Sequence, residues 1–320
     1  MKKILFLLAI ILISVCTLLF YKHIKNINTK NNNKNVTIIL DWFINPNHAA
    51  LFIAQEKGFF TKAGINLNII APSDPADGPK LVAANQADFA IDYQPSLMVQ
   101  IDKGLPLIRI ASIINQPLDC LVVLKNGPIK KIADLKNKTI GYSMSSFAHL
   151  MLFTMLKYNG LKLHNVHLIN VHYDLSQALL AGRIDGFTGA MRNFETIQME
   201  LAGHPVRAFY PEKSGFPNYD ELIIVANKNH LDKKMINKFL RALQKGVTYL
   251  KANPTECWQL FIIKHPELND ELNKRAWFLT LQYFANNPAI LDKNKYENLT
   301  RFLYENKLLQ KEPLLNDYAL

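Results

Sequence analysis

The chain has 320 residues, 49% of them hydrophobic and 20% charged, with a formal net charge of +11. That is enough apolar sequence to give two lobes cores of their own, and it excludes a chain disordered throughout. Only one stretch approaches the roughly 20 apolar residues of a membrane span, which excludes a multi-span membrane protein. Three widely spaced cysteines, Cys16, Cys120 and Cys257, form neither a disulfide framework nor a zinc pattern.

The charge is unevenly placed. Residues 1–35 hold six lysines (Lys2, Lys3, Lys22, Lys25, Lys30, Lys34) and no acid, so the other 285 residues carry 31 basic against 26 acidic side chains, a net of +5. No basic cluster interleaves with aromatics, so nucleic acid is not an expected partner. Residues 4–21 form an uncharged apolar run, roughly 27 Å long as a helix at about 1.5 Å per residue. The run continues past any small-x-small cleavage site. It reads as an uncleaved membrane anchor, with a cleaved signal peptide as the alternative. A lipoprotein modified at Cys16 is a third reading, poorly matched by Ile13, Ser14 and Val15. All three export the rest of the chain. The Asn/Lys-rich residues 22–35 read as a solvated tether.

From residue 36 the pattern predicts a strand at 36–40, a helix at 48–57 ended by Gly58, a strand at 65–70, a short helix at 79–84, and strands at 89–91 and 107–114. This order points to an α/β sheet with helices on its faces. It restarts with a strand at 139–142, a helix at 147–158 behind possible serine caps, a strand at 166–171, a helix at 175–180 and a strand at 186–188. Residues 81–89 and 179–187 echo one another: a helix end, a tight turn, an apolar residue, an aspartate (Asp88, Asp185) and a strand. The echo predicts two similar lobes. After a strand at 221–226 come helices at 232–251, 254–265, 271–286 and 292–306. Phe239, Leu243, Val247 and Leu250 recur at helical spacing and are expected core. The chain is expected to cross between lobes near residues 120–124 and 221–226.

Several spaced motifs agree in order. Asp41, Trp42 and Phe43 are followed by Asn47, His48 and Ala49, then by Ala54, Gln55, Glu56, Lys57, Gly58, Phe59 and Phe60; Asp134 to Gly141 opens the second half. The chain thereby resembles the periplasmic solute-binding proteins of the thiamine-pyrimidine, nitrate and sulfonate group. Tyr93, Gln94 and Pro95, with Tyr219, Asp220, Glu221 and Leu222, resemble the thiamine-pyrimidine branch. The resemblance implies an α/β type II periplasmic binding protein fold with a ligand cleft between two lobes, preceded by a transmembrane or signal helix. The implied limits are 1–21 for the anchor, 22–35 for the tether, 36–122 with 223–320 for lobe one, and 123–222 for lobe two. It implies a monomeric, non-enzymatic substrate-binding component without cofactor, on the periplasmic side of the inner membrane. That component would bind a formylaminopyrimidine- or hydroxymethylpyrimidine-type precursor and serve an ABC permease and its ATPase. A sulfonate, a nitrate-like anion or a riboflavin-like ring is the alternative ligand. The related thiamine pyrimidine synthases give a further alternative, but their cofactor lysine and reacting histidine align with Asp92 and Ser96. Residues 214–221, where their cysteine-rich run would fall, contain no cysteine.

The candidate ligand residues rest on position and chemistry. Trp42, at a strand end where ligand crevices of open sheets lie, offers a stacking face. Asp41 can accept from an exocyclic amine, Asn47 and His48 open the first helix, and Tyr93 follows a strand. Ser143 and Ser145 precede a helix whose free N–H groups suit a polar group. Glu195, Tyr219 and Glu221 lie in lobe two or at the second crossing, where a carboxylate can hold pyrimidine N–H groups. Arg192 offers an anion contact instead. No metal spacing is present.

Overall fold

A computed structural model describes residues 33–143 and 145–320, the side chains of 145–148 excepted. The expected anchor, Cys16 and nearly all of the tether lie outside the described residues. Among those described, no helix is long and apolar enough to cross a membrane. Strand β1 (Lys34–Ile39) starts two residues before the predicted strand, so Lys34 and Asn35 belong to it and not to the tether.

Sheet one runs in the order β2 (Ile65–Ile70), β1, β3 (Phe89–Asp92), β10 (Leu222–Asn227), β4 (Leu107–Ile114). β1 and β3 are parallel, whereas β10 is antiparallel to both its neighbours. Sheet two runs in the order β7 (His167–Asn170), β6 (Thr139–Tyr142), β8 (Gly186–Met191), β5 (Asp119–Leu124), β9 (Val206–Phe209). Here β5 is the reversed strand. Each lobe is therefore a mixed sheet with one strand inserted by the returning chain. β5 belongs wholly to sheet two and β10 wholly to sheet one, so the chain passes between the sheets in residues 115–118 and 214–221. The crossings lie just before the two strands expected to make them, and the lobe limit expected at 122/123 falls instead before β5.

The echoed segments are structurally equivalent. Asn85 and Gly182 both take left-handed backbone after the helices α3 (Asp77–Ala83) and α6 (Leu175–Leu180). Asp88 then accepts from Thr37 N at 2.8 Å, and Asp185 from Thr139 N at 2.9 Å. In each lobe a turn aspartate thus satisfies a backbone donor of the neighbouring parallel strand, β1 or β6.

Lobe one is the larger because the C-terminal helices α8 (Lys233–Ala252), α9 (Pro254–Lys264), α10 (Glu271–Thr280) and α11 (Lys293–Glu305) pack on it, after α1 (Ala49–Glu56) and α2 (Phe59–Lys62). The predicted stripe Phe239, Leu243, Val247 and Leu250 is fully buried. Gly246 lets α8 approach α1: a β-carbon there would stand 2.6 Å from the Ala50 carbonyl oxygen. α10 ends six residues before its predicted limit, because Phe284 bridges to Ile114 and Ala285 N binds Ile113 O at the edge of β4. Four of the labelled elements have no counterpart among the predicted ones: α2, α4 (Gln94–Asp102), α7 (Glu195–Leu201) and β9.

Candidate functional site

The carboxyl ends of β1 and β3 place Asp41 and Tyr93 side by side. The Tyr93 hydroxyl donates to Asp41 Oδ2 at 2.6 Å, and His48 Nε2 stands 2.8 Å from Oδ1. His48 Nδ1 accepts from Asn45 N at 3.3 Å, which leaves Nε2 as the ring nitrogen that donates to Asp41. Burial works to raise the Asp41 carboxyl, but the His48 and Tyr93 bonds outweigh it and hold it below its ordinary value. A buried carboxylate with charge-assisted partners on both oxygens is a fixed negative point.

The opposite wall comes from lobe two. β8 runs on to Met191, three residues past the predicted strand, and carries Thr188, Gly189 and Met191 to the cleft. Phe194 and Glu195 follow at the start of α7. Glu195 Oε2 accepts from Met191 N at 2.7 Å. Burial, with the nearby Asp41 charge adding to it, pushes the Glu195 carboxyl up to about 7. Thr188 Oγ1 is fully buried and without a partner among the described residues, and so is Trp42 Nε1. Trp42 belongs to lobe one by sequence but packs on the lobe-two core. Its ring meets Tyr173 edge-on at 4.5 Å.

The cleft so formed encloses about 580 Å³ including its mouth. It is lined by Asp41, Trp42, Asn45, Asn47, Tyr93, Ser143, Thr188, Gly189, Met191, Phe194 and Glu195. Two carboxyls and no lysine or arginine stand among these described lining residues. The lobes are in contact across the mouth. Tyr173 OH donates to Pro72 O at 2.8 Å, and His172 Nδ1 is 3.2 Å from Asp74 Oδ2. Deeper in, Asn193 Nδ2 donates to Asn47 Oδ1 at 2.7 Å and to Thr280 Oγ1 at 2.6 Å.

Of the residues expected to touch a ligand, Asp41, Trp42, Asn47, Tyr93, Ser143 and Glu195 come together on this cleft. His48 does not line it: the imidazole is fully buried behind Asp41 and orients that carboxylate. Tyr219 and Glu221 are fully buried at the second crossing and also do not line it. Glu221 Oε2 accepts from Leu118 N, from Asp119 N at 2.8 Å and from Tyr219 OH at 3.0 Å, tying one crossing to the other. Arg192 is no anion site. It pairs with Glu212 at 2.7 Å and donates to Leu118 O and Asp119 O, so it clamps the first crossing. The Ser145 side chain lies outside the described residues. Asn45, Thr188, Gly189, Met191 and Phe194 were missed. For Thr188, Gly189 and Met191 the signal was the run through Met191, which continues strand 186–188; Asn45 and Phe194 had none. Among the described residues no group of three His, Cys, Asp or Glu side chains is placed to hold a metal ion.

Two lobes, each a mixed sheet, closing on a polar-lined crevice define the architecture of periplasmic binding proteins. The alkanesulfonate-binding protein SsuA from Xanthomonas axonopodis pv. citri shares it. That structure aligns with a TM-score of 0.72 at 13% identity, over 89% of this chain and 98% of that one. The NMT1/THI5-like family model matches residues 45–257, and the chain belongs to that family. A Haemophilus influenzae protein named for thiamine biosynthesis is 46% identical over 90% of this chain and 92% of its own length. A formylaminopyrimidine-binding protein of Halalkalibacterium halodurans is 30% identical over 74% of this chain and 72% of its own. A Legionella pneumophila protein named 4-amino-5-hydroxymethyl-2-methylpyrimidine phosphate synthase is 24% identical over 86% of this chain and 88% of its own.

Proposed function

We propose that the chain is the substrate-binding component of an ABC importer, exported to the periplasmic side of the membrane, and that it binds an aminopyrimidine precursor of thiamine without altering it. The observation that carries this reading is the pairing of unlike carboxyls across one aromatic-walled cleft. Asp41, held ionised, suits an exocyclic amine or aminomethyl group. Glu195, poised near neutrality, can donate its acid proton to a ring nitrogen while its carbonyl oxygen accepts from the adjacent amine. That donor–acceptor pair complements one edge of a 4-aminopyrimidine. Trp42 supplies an aromatic face, and its free N–H, with the Thr188 hydroxyl, offers further partners.

An anionic ligand fits poorly. A sulfonate or nitrate would meet two carboxyls and no cation among the described lining residues, and desolvating an anion without a counter-charge is costly. The 24%-identical synthase supports an enzymatic reading, which needs an amine to hold an aldehyde cofactor. The aligned position holds Asp92, buried on β3, and Ser96 is buried on α4. The test is a thermal-shift and calorimetric panel of 4-amino-5-aminomethyl-2-methylpyrimidine, its N-formyl derivative, taurine and nitrate. Stabilisation by the pyrimidines alone supports the reading. A shift with taurine or nitrate only, or none with millimolar pyrimidine, overturns it. An absorbance band of an imine formed with pyridoxal phosphate would move the chain to the enzymes.

A further inference from the structure

The +5 excess outside residues 1–35 is concentrated in one element. The 20 residues of α8 contain six cations, Lys233, Lys234, Lys238, Arg241, Lys245 and Lys251, and no acid. Without that helix the rest of the folded chain is close to neutral. Lys234, Lys238, Arg241 and Lys245 fall at i, i+4, i+7 and i+11, one stripe opposite the buried stripe of Phe239 and Leu243. Phe60 of α2 stacks on Phe239 at 5.1 Å and so brings Lys62 alongside. Lys62, Lys238, Arg241 and Lys245 line one groove with Phe59, Ala63 and Gly64, and no acid lines it. None of these four cations, nor Lys234, is in an ion pair among the described residues. The nearest acid in sequence, Asp232, caps the helix by accepting from Met235 N at 3.0 Å. Like charges on successive turns cost helix stability. An uncompensated stripe of them therefore has a reason outside the helix.

The position of the groove suggests that reason. It ends at Gly64, immediately before β2, and Asn66 of β2 donates to Asn35 of β1 at 2.8 Å. The polypeptide thus enters the fold next to the groove, at the opposite end of β1 from Asp41. Before Lys34 the sequence runs through an acid-free, lysine-rich stretch to the apolar residues 4–21. If residues 22–33 form the expected solvated tether, those dozen residues would span about 20 Å.

We infer that the groove formed by α2 and α8 binds the anionic headgroups of the membrane that residues 4–21 are expected to enter. The inference rests on the anchor reading of residues 4–21 and goes beyond the ligand assignment. Each basic side chain near an anionic surface strengthens attachment several-fold, in a salt-dependent manner.

The test uses the full chain with vesicles of phosphatidylcholine alone or with one-third phosphatidylglycerol. Flotation is read with hydrogen exchange of α8, at low and high salt. The comparison is the exposed triple variant Lys62→Gln, Arg241→Gln, Lys245→Gln, with Lys62→Arg, Lys245→Arg as the charge-preserving control. Melting of each variant with the pyrimidine checks the fold. The expected result is retention on both vesicles, with α8 protected only on phosphatidylglycerol. High salt abolishes that protection, and the triple variant lowers it at least tenfold while the arginine variant keeps it. Equal α8 exchange on both vesicles, or in wild type and triple variant, overturns the groove assignment. So does complete competition by 10 mM inorganic phosphate at constant ionic strength, which would make it a phosphate site. Loss of the full chain from phosphatidylcholine vesicles overturns the anchor instead, and the groove is then judged on phosphatidylglycerol binding of wild type against the triple variant.

Discussion

Asp41 and Glu195 face one cleft and are equally deep, yet their environments push them in opposite directions. Asp41 sits in lobe one with partners on both oxygens, so its hydrogen bonds overcome burial and it stays ionised. Glu195 sits in lobe two with a main-chain N–H on one oxygen, and burial wins. Burial alone does not set the state of a cleft carboxyl; the number and charge of donors it is given does. One wall is thus a finished electrostatic anchor, and the other is completed by what enters.

The largest effect on this contrast is expected from Asp41→Ala, which strands the buried His48 and Tyr93 polar atoms. Leaving such a network half-made costs about 3–5 kcal/mol, seen as a fall in melting temperature of roughly 10 °C. Asp41→Asn should cost less than half of that. An unchanged melting temperature in Asp41→Ala would mean the anchor is not preorganised.

Next is the pH dependence of the ligand-free protein. Glu195 has a folded-state value near 7, above its unfolded value near 4.5, so the folded state binds the extra proton between the two. That contribution is present below pH 4.5 and is lost as pH rises through 7, by about 3 kcal/mol at most. Glu221, raised by burial, acts in the same direction. Urea unfolding from pH 4.5 to 8 should therefore show a shallower decline in Glu195→Gln than in wild type, and parallel curves would contradict the assignment. In binding, Glu195→Ala should weaken the aminopyrimidine by roughly 100-fold, about 2.7 kcal/mol, measured by calorimetry. Glu195→Gln, which keeps a donor and an acceptor, should stay within tenfold of wild type at pH 6. The smallest effect is expected of Asn193→Ala. It removes the link from lobe two to Asn47 and Thr280, worth about 1 kcal/mol. Solution scattering of the ligand-free variant should show a larger radius of gyration, and no change would place the closing force elsewhere.

Much of the fold was legible because strands such as 65–70, 107–114 and 139–142 are bounded apolar runs, and their limits match the structure. The repeat was legible because its aspartates do the same backbone work twice. α4 and α7 were not legible: Gln94–Asp102 mixes buried Gln94 and Ser96 with apolar residues, so no single-faced stripe stands out. Half of the cleft could be read from sequence. Asp41, Trp42 and Tyr93 follow strand ends, and Asn47 opens the first helix. Of the lobe-two wall, Ser143 and Glu195 were expected, whereas Thr188, Gly189 and Met191 escaped because nothing in that short strand marks which side chains meet the cleft. His48 and Glu221 were chemically apt, but whether such a group faces space or supports another residue depends on packing that no local pattern encodes.

The bond from Glu221 across to Leu118 and Asp119, with Arg192 clamping the same backbone, joins the two crossings into a two-ply strap. Two independent strands would let the lobes slide as well as turn. A laminated strap resists shear and bends about one axis, so opening reduces to a single angular coordinate. One pair of distance labels, on Tyr173 and Pro72 for instance, should then track the whole motion with a single relaxation.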